Sequence, residues 1–186
     1  MNKFTLLTVI LCLVMLIFGG PLASCGTSEA DEQKLLDDFR AAAPRAVTLY
    51  DYIYGDGLPL TSEESVSGYY VVADDSPIKT MDAFMSAMSE VFSEDYIEIL
   101  SNTAFGGVSV DEGSIGAKFI ERDGILSVDP TVTEGFGEPR EFDLDTARIV
   151  KQNRFVAIVA VSSGSDELEV TMRLEDGVWK LDSALY

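Results

Sequence analysis

Histidine is absent from this chain, and cysteine is confined to Cys12 and Cys25. Without His the commonest general base is missing, together with Ser-His and Cys-His nucleophile systems and the usual zinc sites. Beyond Cys25 there is no thiol, so neither a disulfide nor a thiolate metal site can form in the rest of the chain. Basic residues are scarce as well: 13 Lys and Arg stand against 32 Asp and Glu, a formal charge of −19. Such a field opposes nucleic acid and anionic headgroups, while it serves solubility and permits basic protein partners. Catalysis would rest on carboxylates, Lys or Tyr, and a non-enzyme without metal or cofactor is expected. Asp143-Leu144-Asp145 sets two carboxylates on one strand face, an arrangement that can split their pKa values for acid–base work, but no cleft partner accompanies it. No loop matches a calcium loop, and the glycine-rich Asp111-Glu112-Gly113-Ser114-Ile115-Gly116 lacks the Lys and preceding strand of a phosphate cradle.

The first residues are organised differently. Lys3 precedes an uncharged run from Phe4 to Phe18, and Gly19-Gly20-Pro21 breaks it. This is the layout of a signal peptide, and the run is shorter than the roughly 20 residues a spanning helix needs. Leu22-Ala23-Ser24-Cys25 follows directly and closely resembles the lipobox of bacterial lipoproteins. The resemblance implies cleavage after Ser24 and lipidation of Cys25, with attachment to the outer face of the cell membrane. Paired acyl chains at about 0.8 kcal/mol per buried methylene make such an anchor stable. Residues 1–24 are thus expected to be a signal, 25–34 a lipidated tether and 35–186 one domain. The tether, fully extended, reaches at most about 30 Å, which places the domain's work close to the bilayer.

Helical spacing begins at Leu35, Leu36 and Phe39, is interrupted by Pro44, and resumes at Ala46, Leu49, Tyr50, Ile53 and Tyr54. One kinked helix or two short ones satisfy it. Leu58 to Glu64 reads as a loop, Tyr69 to Ala73 as a short strand, and Asp74-Asp75-Ser76-Pro77 as a turn. Thr80 and Ser93 are N-cap residues for two further helices, the first with Met81, Phe84, Met85, Met88, Val91 and Phe92 on one apolar face. From Thr103 onward the pattern turns to strands. Asp123-Gly124 between apolar runs signals a hairpin, and three long strands near 142–151, 155–162 and 167–174 precede a last one at Val178-Trp179-Lys180-Leu181. Phe155 to Val161 is apolar on both faces, as a covered central strand would be. Helices first and an antiparallel meander afterwards predict an α+β domain with helices packed on one face of a curved sheet.

Two resemblances accompany this pattern. The ending Val170 to Leu181, with Gly177-Val178-Trp179-Lys180 at its turn, looks like the last hairpin of the cystatin-like cone proteins related to nuclear transport factor two. The ordered series Leu49 to Pro59, Tyr69 to Val72, Ile78 to Asp82, Val91 to Tyr96 and Glu121 to Leu126 is similar to small secreted proteins grouped with the IseA-type DL-endopeptidase inhibitors. That family implies an extracytoplasmic domain that binds cell-wall DL-endopeptidases and restrains autolysis. The chain departs from it at Ser127, where members often carry Tyr.

The partner surface is expected among loop acids and tyrosines: Asp56, Glu63-Glu64, Asp74-Asp75, Asp111-Glu112, Tyr52, and Tyr69 or Tyr70. Acids converging at one end would steer a basic rim, and tyrosines supply amphipathic anchors. Tyr50 and Tyr54 share the apolar helical face and belong to the core. The alternative is a cone holding a small apolar or amphipathic ligand in a deep pocket of its concave sheet.

Overall fold

Ser28 caps the first helix. In the computed structural model, which describes residues 28–66, 68–110, 113–132 and 141–185, its hydroxyl accepts the Asp31 N–H at 3.2 Å. The Asp31 carboxylate takes the Ser28 N–H and O–H in return, at 3.1 and 2.7 Å. Those bonds hold the Asp31 carboxyl below its usual range. Helix α1 then runs from Glu29 to Tyr54, so residues 29–34 of the expected 25–34 tether are helical. Cys25 and the signal segment lie outside the described residues. The first turns stand clear of the domain, with residues 28–34 all exposed, before Leu35 and Phe39 enter the core.

Pro44 lies inside α1, which continues through it as one helix. Its ring removes the N–H that the Arg40 carbonyl would otherwise accept. The site is exposed, so no packing depends on the ring. Pro44→Ala is expected to raise the unfolding free energy by about 1–2 kcal/mol, part of the roughly 3 kcal/mol interior penalty, as read by urea denaturation.

Among the described residues the strands divide between two four-stranded antiparallel sheets and a two-stranded ribbon. The first sheet is ordered β1-β2-β6-β5, from Leu60–Val66, Tyr69–Val72, Ile125–Val128 and Phe119–Arg122. Strand β1 corrects the expected loop over Thr61 to Glu64. An edge strand needs no apolar alternation, and the charges on it discourage pairing with another chain. The β5–β6 turn has Asp123 and Gly124 at φ 52° and 76°, the paired positive angles a tight hairpin requires. Before it, Asn102–Gly106 forms a π-helical turn where strand was expected, and the ribbon β3–β4 (Val108–Val110, Gly113–Ile115) follows.

The second sheet is the expected meander: β7 (Asp143–Gln152), β8 (Val156–Ser163), β9 (Asp166–Glu175) and β10 (Val178–Leu181), in order β10-β9-β8-β7. On its inner face Ala157, Val159, Val161, Val170, Met172, Trp179 and Leu181 are buried in one core with Leu35, Phe39 and Ala46 of α1. The other face is only partly covered, because Val156 and Ile158 remain half-buried beside buried Ala160. Helix α1 is tied to both edges of this sheet. Asp38 accepts the Trp179 N–H at 2.8 Å, and Arg40 donates to the Leu144 carbonyl at 3.3 Å.

Helices α2 (Met81–Ser89) and α3 (Glu94–Ser101) start at Thr80 and Ser93, whose hydroxyls accept the Ala83 and Tyr96 N–H groups. Between them the chain pairs in parallel with β10, through Phe92 and Leu181. The Arg173 guanidinium, bonded to Asp182 at 2.8 Å and near Asp95 at 3.2 Å, holds α3 to the sheet. The fold is α+β, and no helix among the described residues is long and apolar enough to cross a membrane.

Candidate functional site

One stripe of α1 meets the chain leading into α2 and leaves an open cleft of about 260 Å³. Its helical wall is Arg45, Thr48, Leu49 and Tyr52, spaced i, i+3, i+4, i+7. Pro77 and Ile78, from the turn after β2, and Ala87 of α2 complete it. Leu49 and Ile78 are each 5% exposed and belong to the core, so the floor is fixed by packing before anything enters. Thr48 is held by its hydroxyl's 3.2 Å bond to the Pro44 carbonyl. Arg45 pairs with Glu90 at the C-cap of α2.

The expected site residues divide into groups. Tyr52 lines the cleft. Asp74 and Asp75 are exposed on the turn that supplies Pro77 and Ile78, and among the described residues neither enters an ion pair. Asp56 is exposed past the end of α1, on the side of Lys118 and outside the cleft lining. Glu63 and Glu64 sit on edge strand β1 rather than in a loop. Glu64 is occupied there, accepting the Gly68 N–H at 2.6 Å. The Tyr69 hydroxyl donates to the Ala117 carbonyl at 2.6 Å, and burial followed by the Asp129 charge pushes its pKa up. Tyr50 and Tyr54 are buried, as the helical period required. Asp111 and Glu112 lie outside the described residues. Asp143 and Asp145 are exposed at the head of β7, where an Asp143 carboxylate oxygen accepts the Asp145 N–H at 3.2 Å. Neither belongs to the cleft.

The segments that carry the endopeptidase-inhibitor resemblance are joined to each other. Tyr50 packs on Phe92 at 5.3 Å and donates to the Tyr96 hydroxyl at 3.1 Å. Pro59 accepts the Ala73 N–H at 2.7 Å, Lys79 accepts that of Leu126 at 3.1 Å, and the Glu121 carboxylate accepts that of Met81 at 2.6 Å. The series is therefore the frame of one lobe: the end of α1, the first sheet and the two short helices.

Lys118 is the buried cation of this region. It is 2% exposed, and its ammonium donates to the Gly55 carbonyl at 2.6 Å, where α1 ends. Desolvation lowers its pKa, opposed by Asp51 and Asp56. It fastens the helix end to β5 and lies apart from the cleft lining. A lysine ahead of a strand phenylalanine carries no signal that would have marked it.

No family model matches the chain, and no curated protein matches it.

Proposed function

We propose that this chain is a lipid-anchored extracytoplasmic binding protein, without catalysis of its own, that engages a cell-wall DL-endopeptidase and restrains it. The observation that supports this most is the convergence of the resembling segments into one hydrogen-bonded lobe, with Tyr52 on its surface. Five short similarities in one order are weak singly; as the connected frame of one lobe they form a physical unit. The filled inner face of the second sheet weighs against the alternative of a ligand held in a cone, because α1 occupies the space a pocket would need.

The cleft residues of α1 lie on its C-terminal half. At 1.5 Å per residue, Arg45 and Tyr52 lie about 25 and 36 Å along the helix from Ser28. Lipidation at Cys25 with α1 upright would therefore present the cleft toward the wall rather than against the headgroups.

The test is an inhibition assay. The chain from Gly26 onward, added to a purified DL-endopeptidase, is expected to co-purify with it and slow cleavage of wall substrate. Failure to bind any DL-endopeptidase tried would overturn the proposal.

A further inference from the structure

We propose that the chain pairs with a second copy of itself through the open face of its second sheet. The proposal rests on the fold alone and is independent of any endopeptidase. Strand β8 is apolar on both faces, and α1 packs on the one that carries Ala157, Val159 and Val161. On the opposite face Val156 and Ile158 are left half-buried. Their surroundings are fixed by the strand registers. Arg148 of β7 and Glu169 of β9 both pair with Ala160, while Lys151 and Thr171 both pair with Ile158. Each of these rungs therefore carries a cation on the β7 side, an apolar residue at the centre, and an acid or hydroxyl on the β9 side. Lys151 and Glu169 are exposed, and among the described residues neither enters an ion pair. Arg148 uses Nη2 for both of its bonds to Glu167, at 2.8 and 2.9 Å.

This pattern is self-complementary in one orientation. Sheets packed face to face lie about 10 Å apart with their strands nearly aligned. A two-fold axis along β8 lays β7 of each copy over β9 of the other, so Arg148 meets Glu169 on both sides and Ile158 meets Ile158 at the centre. An isologous contact requires that reciprocity. A two-fold axis across the strands would stack β7 on β7 and bring Arg148 and Lys151 against the same cations, so charge selects the first arrangement. The 32 acids of the chain oppose self-association in general. Repulsion is least here, because Arg148, Lys151, Arg173 and Lys180 stand on this face and Arg154 lies in its β7–β8 turn. Three strand spacings of about 4.8 Å and eight residues at about 3.3 Å give a face of roughly 14 by 26 Å. That is near the lower end for specific interfaces, and a dissociation constant of about 10–100 µM is expected.

Density-matched sedimentation equilibrium of the full-length chain in neutral detergent reads the association. Ile158→Lys sets like charges together at the axis and is expected to weaken pairing about tenfold or more. Ile99→Lys, at a 59% exposed position of α3, is expected to leave it unchanged. Arg148→Glu alone and Glu169→Arg alone should each weaken pairing, and the two changes in one chain should restore it. This charge exchange keeps the test decisive even where Ile158→Lys fails to fold. Carbodiimide coupling of a mixture of light and isotopically heavy chains is expected to join Lys151 of one copy to Glu169 of the other, a mixed product that no link within one chain can give. A chain that stays monomeric tenfold above the expected dissociation constant overturns the proposal. So does pairing that survives Ile158→Lys, or a charge exchange that does not restore what the single changes removed.

Discussion

Phe92→Ala is expected to lower the unfolding free energy by about 3–5 kcal/mol, the upper range for loss of a buried aromatic ring. Phe92 is fully buried, with its ring 5.3 Å from Tyr50 and 5.6 Å from Tyr96. Its backbone neighbours are fixed on both sides: Ser93 donates to the Leu181 carbonyl at 2.8 Å, and Leu181 donates to that of Val91 at 2.9 Å. The void would thus open where α1, α3 and β10 meet, among elements held by backbone bonds that cannot readily close over it. Collapse around the site is limited, and the cavity cost persists. Against a total stability of about 5–15 kcal/mol, the variant stands near the edge of folding. Phe155→Ala is the control, since that ring is 57% exposed and meets the Arg154 guanidinium at 5.1 Å. Its change should stay under about 1 kcal/mol. Urea unfolding of both proteins checks the contrast. A Phe92→Ala loss below that of Phe155→Ala would show that the linker between α2 and α3 does not fasten the two short helices to the second sheet.

Much of this architecture was legible because its signals are local. The apolar period through Leu35, Phe39, Ala46, Leu49 and Ile53 describes α1, and Thr80, Ser93 and the Asp-Gly turns mark boundaries by their own chemistry. The start of α1 was legible too: Ser28 and Asp31 have capping-box spacing, which the reading of a polar tether passed over. Strand β1 was not, because Thr61-Ser62-Glu63-Glu64 gains its conformation from pairing with β2 and not from burial of its own side chains. The split into two sheets depends on which strands meet, and no single stretch records that. The same holds for the cleft. Leu49 and Ile78 look like ordinary core residues, and only the approach of the Pro77 turn to α1 makes them a floor. Tyr52 could be chosen as a surface residue from its helical phase, whereas Arg45, Thr48 and Ala87 required the fold.

Lys118 offers the second large effect, and its sign depends on pH. The ammonium is buried against the Gly55 carbonyl at the end of α1, where helix carbonyls lack their usual donors. Lys118→Glu would turn a carboxylate toward that carbonyl and toward Asp51 and Asp56, and is expected to cost about 3–5 kcal/mol. Lys118→Met keeps the stem, loses a charged hydrogen bond of about 1.5–3 kcal/mol, and escapes the desolvation of an ammonium. Near pH 7 it should therefore stay within about 1 kcal/mol of the parent. The two differ as pH rises. In the folded parent the Lys118 pKa is lowered by desolvation, whereas the unfolded chain keeps its ordinary 10.5. Below the lowered value both states hold the proton and the full cost is present. Between the two values the unfolded state binds more proton, so stability rises with pH. Tyr69 and Tyr96 act oppositely: burial raises both above 10.0, and their contribution is lost as pH climbs through the raised values. Urea unfolding of parent and Lys118→Met from pH 7 to just below 10 isolates the lysine. The parent is expected to gain stability relative to the Met variant across that window. A constant difference between the two curves would mean that the buried ammonium does not lose its proton within that window.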